Sequence, residues 1–230
     1  MSRFYDRASG LVRTIFDTRL SGPPVLDWQT KFPNAAQFNL AWQRIRDEAL
    51  TLAARLESVP RFHDIMPEQA PLSAQDDRDW RIFILKAYGV EVAEHMARCP
   101  VLASLLRETP EVLSASLSFL APRKHIPCHR GPFRGVLRFH LMLSMPVGPE
   151  GTPAAALTIA DREHRLGDGE CLLWDDTYPH EVRNNSDEGR IALLLDVWRP
   201  DMPMDMEILS RMIVAGVQMV MKYRGVSYGG

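Results

Sequence analysis

The chain has 230 residues, of which 46% are hydrophobic and 24% are charged. These values are close to the averages for soluble globular domains, so they exclude wholesale disorder, collagen-like repeats and a disulfide-dense secreted scaffold, and they favour one compact domain. The 27 basic and 29 acidic residues leave a net charge of −2, which provides no overall field to attract nucleic acid or an anionic membrane.

The three cysteines, Cys99, Cys128 and Cys171, are irregularly spaced and form no C-x-x-C pair. Neither a disulfide framework nor a cysteine-only zinc site is therefore indicated. Charged side chains occupy the start of the chain, where a signal peptide needs an apolar run, and no apolar stretch reaches the roughly 18 residues of a membrane span. We expect a cytoplasmic protein with no membrane span and no nucleic-acid partner.

The first hundred or so residues carry mainly helical periodicity. The clearest helix begins after Pro33, where Asn34 is suited to cap it and Gln37 follows three positions later. Apolar residues then recur at spacings of three and four and form one stripe, comprising Phe38, Trp42, Ile45, Ala49, Leu52 and Leu56. Further helices are predicted over residues 90–99 and 101–107, and residues 60–79 are predicted to be a loop.

From about residue 111 the periodicity changes from helical to the two-residue alternation of strands. The alternating segments are residues 114–119, 136–143 and 190–197, and Gly167-Asp168-Gly169 predicts a tight turn between residues 163–166 and 170–174. Short antiparallel strands with such turns favour a jelly roll.

We therefore predict a mainly β fold with flanking helices and one structural domain overall. A helical region over residues 1–110 packs on a double-stranded β-helix, or cupin-like jelly roll, over residues 111–200. A Met-rich helix follows within residues 201–230, and it docks on the barrel or on the partner in a homodimer.

Two histidines lie at the ends of predicted strands, His129 just before one strand and His180 at the start of another. In a jelly roll such histidines can converge on one metal, and neutral imidazole suits Fe(II) as well as zinc. Either histidine alone is more commonly a surface residue. Arg190 begins an otherwise apolar strand, where a cation is expected to pair with an anion inside the barrel. Together the three residues indicate a metal and an anionic co-substrate.

Arg138 and His140 alternate with Leu137, Phe139 and Leu141 on one predicted strand. On this strand alone two readings are equally good, because the polar face can point either to solvent or to a polar interior.

These residues occur in motifs that resemble the aspartyl/asparaginyl β-hydroxylase family of Fe(II)- and 2-oxoglutarate-dependent dioxygenases. The resemblance covers roughly residues 75–200. Its motifs agree in order, spacing and residue type, and they comprise Cys99-Pro100, Ser118 in Ser-Phe-Leu-Ala-Pro, His129-x-Gly-Pro, residues 137–141, residues 174–184, and Arg190 leading into residues 196–200.

The resemblance implies His129 and His180 as the iron ligands. It implies four further residues at the site, namely Ser118 and Arg190 at the distal carboxylate of 2-oxoglutarate, and Arg138 and His140 beside the metal, where they contact the other carboxylate or the substrate. The implied reaction uses O2 and hydroxylates an unactivated C–H bond of an amino-acid-like, peptidyl or other small substrate, with release of succinate and CO2.

Two positions depart from related patterns. The usual carboxylate ligand two residues after the first histidine is replaced by Gly131, and an arginine of the peptide-directed family members is replaced by Val136. The first change leaves open water, a substrate group or a halide at the metal, and the second makes an acidic peptide substrate doubtful. Asp176 is either a group that orients the ligand loop or an ordinary turn aspartate.

Other functions remain open at this stage. A non-catalytic jelly-roll module that binds a metal or small anion would use the same residues, and a hydroxylase of an acyl chain or a zinc hydrolase is a further alternative. Of the other histidines, His125 is a weak candidate for a third ligand, and His63, His95 and His164 are expected to be surface or capping residues.

Overall fold

The computed structural model describes residues 3–224. Its α-helices are α1 (Arg3–Asp17), α2 (Trp28–Lys31), α3 (Ala35–Leu40), α4 (Trp42–Ala53), α5 (Phe62–Ile65), α6 (Ala93–Arg98), α7 (Pro100–Glu108) and α8 (Met204–Arg224), and short 3-10 helices span Leu56–Ser58 and Pro67–Leu72. Its strands are β1 (Val25–Leu26), β2 (Trp80–Ala87), β3 (Val90–Glu91), β4 (Val112–Leu120), β5 (His125–His129), β6 (Val136–Ser144), β7 (Ala155–Ile159), β8 (Arg162–His164), β9 (Cys171–Trp174), β10 (His180–Asn184) and β11 (Arg190–Trp198).

The strands form two antiparallel sheets. The large sheet has the order β1-β9-β6-β11-β4-β2-β3, and the small sheet has the order β5-β10-β7-β8. Apolar residues of both sheets, including Leu120, Ile159 and Val182, form one buried cluster between them. This arrangement confirms the predicted jelly-roll core with flanking helices.

The outer face of the large sheet is covered by helices, which explains the alternation in β6 and β11. Phe139 and Leu193 point outward and pack in one core with Phe38, Ile45 and Leu102 from α3, α4 and α7. The alternate residues of these strands must then face the small sheet. The side chains of Arg138 and His140 therefore point to the interior of the barrel and not to solvent.

Strand β2 was not predicted, because residues 80–87 lie within the region of residues 1–110 that was expected to be helical. β2 pairs with β4 inside the large sheet, so residues 80–87 belong to the barrel. Phe83 and Leu85 pack under the helices, whereas Trp80 and Ile82 pack between the sheets. Because both faces are buried, the segment is almost continuously apolar and loses the polar alternation that identified the other strands.

The predicted helix after Pro33 is two helices in the structure. The backbone of Ala41, with φ −93° and ψ 6°, departs from helical geometry and separates α3 from α4. Asn34 makes no side-chain cap, and its amide instead donates to Glu111 Oε1 at 2.5 Å. Residues 90–91 form β3 rather than the start of a helix, and residues 60–79 contain short helical turns.

The glycine turn at residues 167–169 connects the two sheets and does not close a hairpin. β8 pairs with β7 in the small sheet, whereas β9 pairs with β6 in the large sheet. Gly169 has φ +78°, and a Cβ there would lie 2.9 Å from the Trp42 ring. The turn is therefore a crossover in which Gly169 allows close packing against α4.

The predicted C-terminal helix is confirmed as α8, which packs against α1. Phe16 and Leu20 share a buried cluster with Met206 and Val214, while other apolar side chains of α8, such as Met212, are well exposed. Among the described residues, none of the helices combines the length and apolar character needed to cross a bilayer.

Candidate active site

His129 and His180 are brought together by strand pairing. They are register partners in the antiparallel pair β5 and β10, and their ring centroids lie 4.1 Å apart. The register shifts by one residue between His180 and Val182, so the alternation along β5 reverses between His125 and His129. His125 accordingly pairs with Glu181 at 3.0 Å and does not join the two histidines.

The hydrogen bonds of the two rings fix their tautomers. His129 Nδ1 lies 2.8 Å from the Pro127 carbonyl oxygen, and His180 Nδ1 lies 2.9 Å from that of Tyr178. A carbonyl oxygen only accepts, so each Nδ1 carries the proton and each Nε2 keeps its lone pair. Burial lowers the pKa of His129 and lowers that of His180 to about 3, and neutral imidazole is the form that binds a metal.

The described residues contain no group of three or more His, Cys, Asp or Glu side chains placed to share a metal. The structure also explains why position 131 is glycine. A Cβ on Gly131 would lie only 2.2–2.4 Å from the carboxyl atoms of Asp176, and Gly131 N donates to the Asp176 carbonyl oxygen at 2.7 Å. Asp176 therefore occupies the space that a side chain at position 131 would need.

Arg138 lies beside the two histidines and is matched by two acids. Its Nε donates to Asp196 Oδ1 at 2.8 Å, and its Nη2 lies 3.3 Å from Asp176 Oδ2. Burial raises the pKa of Asp176 to about 6, against the opposing effect of Arg138. The guanidinium thus fixes the Asp176 carboxyl group next to Gly131, which favours the orienting role of Asp176 over that of an ordinary turn residue.

Arg190 and His140 form a second polar pair deeper in the barrel, and both are about 3% exposed. Arg190 Nη2 lies 2.6 Å from His140 Nε2. A guanidinium only donates, so His140 Nε2 accepts and its Nδ1 carries the proton. Burial lowers the pKa of Arg190 to about 10, which still leaves the group charged at neutral pH.

Two donors of this pair have no acceptor. His140 Nδ1 and Arg190 Nε are both buried without a hydrogen-bond partner among the described residues. Both residues line a small cavity of about 10 Å³ between the sheets. Buried donors without an acceptor are rare and costly, so this end of the barrel is suited to an anion.

Ser118 shares the inner face of the large sheet with Arg190, since its register partner on β11 is Ala192. Its hydroxyl oxygen accepts a hydrogen bond from Trp80 Nε1 at 3.0 Å. The Ser118 proton therefore remains available for an anion. The Trp80 ring in turn stacks on Phe62, with centroids 3.9 Å apart. Trp80 is a site residue that the sequence analysis did not identify.

A larger cavity of about 230 Å³ opens above the two histidines. Its polar end contains His129, His180, Arg138, Asp176 and Asp196. An apolar part of its lining consists of Phe62, Met66, Trp80, Ile82 and Ile84, and Gln69, Lys86, Ser114 and Ser116 add polar groups elsewhere. The cavity is thus suited to a substrate that presents an apolar segment to the histidine pair.

The loop that carries His180 is anchored by Asp175, which is 2% exposed. Asp175 Oδ2 accepts from Arg134 Nε at 2.9 Å and from Arg199 Nη2, and Oδ1 accepts from Thr177 N at 3.0 Å. Arg134 also donates to Asp17 of α1 at 2.6 Å. The loop that carries His180 is therefore tied to α1 and to the end of β11.

Replacing Asp175 by alanine is expected to lower the free energy of unfolding by about 3–5 kcal/mol, because the largely buried Arg199 guanidinium loses its acid partner. Arg134 would keep only its ion pair with Asp17. Urea denaturation followed by circular dichroism measures the change. Asp187→Ala is the matched control, since Asp187 pairs with Arg123 at the surface at 2.8 Å and its loss should leave stability nearly unchanged. Equal effects of the two substitutions would contradict the anchoring role.

The structure corrects the expectations for two other histidines. His95 is only 4% exposed, and its Nδ1 lies 2.6 Å from the Ile84 carbonyl oxygen, so it is a core residue. His164 is only partly buried, but its Nε2 atom is buried and it lines the same small cavity as His140 and Arg190. No spacing signal in the sequence connects His164 to these residues, because they meet only through the pairing of different strands.

The family model described as "Aspartyl/Asparaginyl beta-hydroxylase" matches residues 39–200. An ornithine lipid ester-linked acyl 2-hydroxylase from Rhizobium tropici is 34% identical over 182 residues, which cover 79% of this chain and 63% of that protein. The human aspartyl/asparaginyl beta-hydroxylase is 28% identical over 166 residues, which cover 70% of this chain and 20% of that protein. The chain therefore spans less than two thirds of the length of either relative.

Similar solved structures include a Cupin_2 domain of an XRE family transcriptional regulator from Enterobacter cloacae, with 16% identity over 37% of this chain and 80% of that chain and a TM-score of 0.31. A Cupin 2 conserved barrel domain protein from Salinispora arenicola has 15% identity over 43% of this chain and 70% of that chain and a TM-score of 0.29. The strand order and register establish the fold independently of these matches.

Proposed function

We propose that this chain, which belongs to the aspartyl/asparaginyl β-hydroxylase family, is an Fe(II)- and 2-oxoglutarate-dependent dioxygenase that hydroxylates an unactivated C–H bond. The observation that carries the proposal is the pairing of two features in one barrel. Two neighbouring imidazoles keep their Nε2 lone pairs, and deeper in the barrel two buried donors have no acceptor. A metal and a carboxylate are the chemical complements of these two features.

His129 and His180 would hold the metal through Nε2, with their orientation set by the carbonyl groups that accept from Nδ1. Imidazole is a ligand type that suits Fe(II), and two protein ligands would leave further positions for the co-substrate and O2. When bound, iron and 2-oxoglutarate supply an oxidative decarboxylation in which O2 converts the substrate C–H to C–OH and 2-oxoglutarate to succinate and CO2.

Arg190 and His140 would bind one carboxylate of 2-oxoglutarate by donating from Arg190 Nε and His140 Nδ1. The Ser118 hydroxyl is oriented for the same task, because Trp80 donates to its oxygen and leaves its proton free. Arg138 has two acid partners, so its main task is to hold Asp176 and Asp196 at the polar end of the substrate cavity. The stacked rings of Phe62 and Trp80 form an apolar part of the lining of the same cavity.

The substrate that we propose is an acyl chain. Phe62, Trp80 and Ile82 make part of the cavity wall apolar. Val136, where an arginine occurs in the peptide-directed members, packs in the apolar cluster with Phe16 and Met206. A relative in Rhizobium tropici is named as an ester-linked acyl 2-hydroxylase. The volume of about 230 Å³ lies below the roughly 300–1,000 Å³ of sites that enclose a drug-sized ligand. The cavity would therefore take only the part of the chain near the reacting carbon.

Succinate release and product mass test this proposal together. With Fe(II), 2-oxoglutarate and O2, a fatty acyl ester should give one succinate per hydroxylated acyl product, whereas an aspartyl peptide should give neither. If only the peptide is hydroxylated, the proposal of an acyl substrate is contradicted, but the proposal of a dioxygenase still stands. If iron and 2-oxoglutarate bind and no member of a broad acyl and peptide panel stimulates succinate release, the dioxygenase is contradicted and a binding module is favoured.

A further inference from the structure

We infer that His164 is a third donor to the carboxylate held by Arg190 and His140. The inference rests on the proposed function for the identity of the anion, and on the geometry for the choice of residue. His164 lies on β8, at the edge of the small sheet, where its register partner is Leu157 of β7. Arg190 and His140 lie on the facing large sheet, so the three side chains approach one cavity from both sheets.

The hydrogen-bond state of His164 matches that of the other two residues. His164 Nε2 is buried and has no hydrogen-bond partner among the described residues, as is also true of His140 Nδ1 and Arg190 Nε. The remaining residues that line this cavity are apolar, and they are Met142, Met145, Ala155, Ala156, Leu157, Leu166 and Val182. No acidic side chain of the lining can therefore accept from the three nitrogens.

The number of donors favours a carboxylate over one water molecule. A water oxygen accepts about two hydrogen bonds, whereas a carboxylate offers about four lone-pair sites on two oxygens. With Nε2 protonated, His164 donates from the small sheet while Arg190 and His140 donate from the large sheet. The cavity of about 10 Å³ would have to widen for a carboxylate, and Met142 and Met145 are side chains that can repack to allow it.

The test measures the dissociation constant of 2-oxoglutarate by anaerobic calorimetry on the Fe(II)-loaded protein, so that turnover is not needed. His164→Leu removes the donor but keeps a similar side-chain volume. This variant should raise the dissociation constant of 2-oxoglutarate about 10- to 100-fold and leave the affinity for Fe(II) unchanged. His164→Gln, which keeps an N–H donor, should recover most of the loss. His125→Leu is the control, because His125 belongs to the same sheet but pairs with Glu181.

In steady-state assays the KM for 2-oxoglutarate should rise in His164→Leu with little change in kcat. Melting temperatures of all variants verify that they fold. Unchanged affinity in His164→Leu, or equal losses in the leucine and glutamine variants, would overturn the role of His164 and leave the dioxygenase intact. If the wild-type protein binds Fe(II) but no 2-oxoglutarate, the proposed function fails, and the role of His164 fails with it.

Discussion

Replacing His180 or His129 by alanine is expected to abolish succinate release and to remove Fe(II) binding at the site. Among the described residues, no third His, Cys, Asp or Glu side chain is placed to share a metal with this pair, so one lost imidazole leaves a single protein ligand. A metal held by two imidazoles has no protein group to compensate for that loss. Succinate release and calorimetric Fe(II) titration measure the two effects on the same preparations.

His125→Ala is the matched control for this pair of substitutions. His125 is on the same strand as His129, but the bulge turns it toward Glu181, which lies 3.0 Å away. The control variant should keep iron binding and turnover close to the wild-type values. If His180→Ala retained both activities, or if His125→Ala lost iron as completely, the assignment of the metal ligands would be wrong.

Replacing Arg190 by alanine is expected to raise the KM for 2-oxoglutarate about a hundredfold or more. In the proposed complex Arg190 is the charged, buried partner of one carboxylate of 2-oxoglutarate. Removing one partner of a buried ion pair costs about 3–5 kcal/mol, where each 1.4 kcal/mol is a factor of ten. The initial rate of succinate release as a function of 2-oxoglutarate concentration measures the change.

Arg190→Lys keeps the charge but loses the planar fork, so it should recover only part of the affinity. Fe(II) affinity should be unchanged in both variants, because Arg190 lines the small cavity, whose lining does not include His129 or His180. A KM for 2-oxoglutarate that is unchanged in Arg190→Ala would contradict the role of Arg190 in binding the co-substrate.

The strands that were predicted correctly are those with one polar and one apolar face. β6 and β11 pack Phe139 and Leu193 under the helices and turn Arg138 and Arg190 toward the small sheet. Because one face is polar and the other apolar, polar and apolar residues alternate along the sequence. This alternation allowed both the strands and their inward polar residues to be predicted. β2 is apolar on both faces and could not be distinguished from a buried helix by periodicity alone.

The roles of individual histidines were harder to predict, because they depend on strand register. His125 and His129 are four residues apart, and simple alternation would place them on one face, but the irregular pairing with β10 separates them. His164 meets Arg190 and His140 only because the crossover at Gly169 places β8 in the opposite sheet. These contacts are products of tertiary pairing and leave no local signal.

The central claim is that one barrel holds both a metal at His129 and His180 and a 2-oxo acid anchored by Arg190. Anaerobic titration of the metal-free protein with Fe(II) and then with 2-oxoglutarate tests this most directly. We expect a weak visible charge-transfer absorption that appears only when both are present, that is absent in His180→Ala, and that needs far more 2-oxoglutarate in Arg190→Ala. If iron binds and 2-oxoglutarate produces no such absorption, or if the absorption persists in His180→Ala, the claim is contradicted.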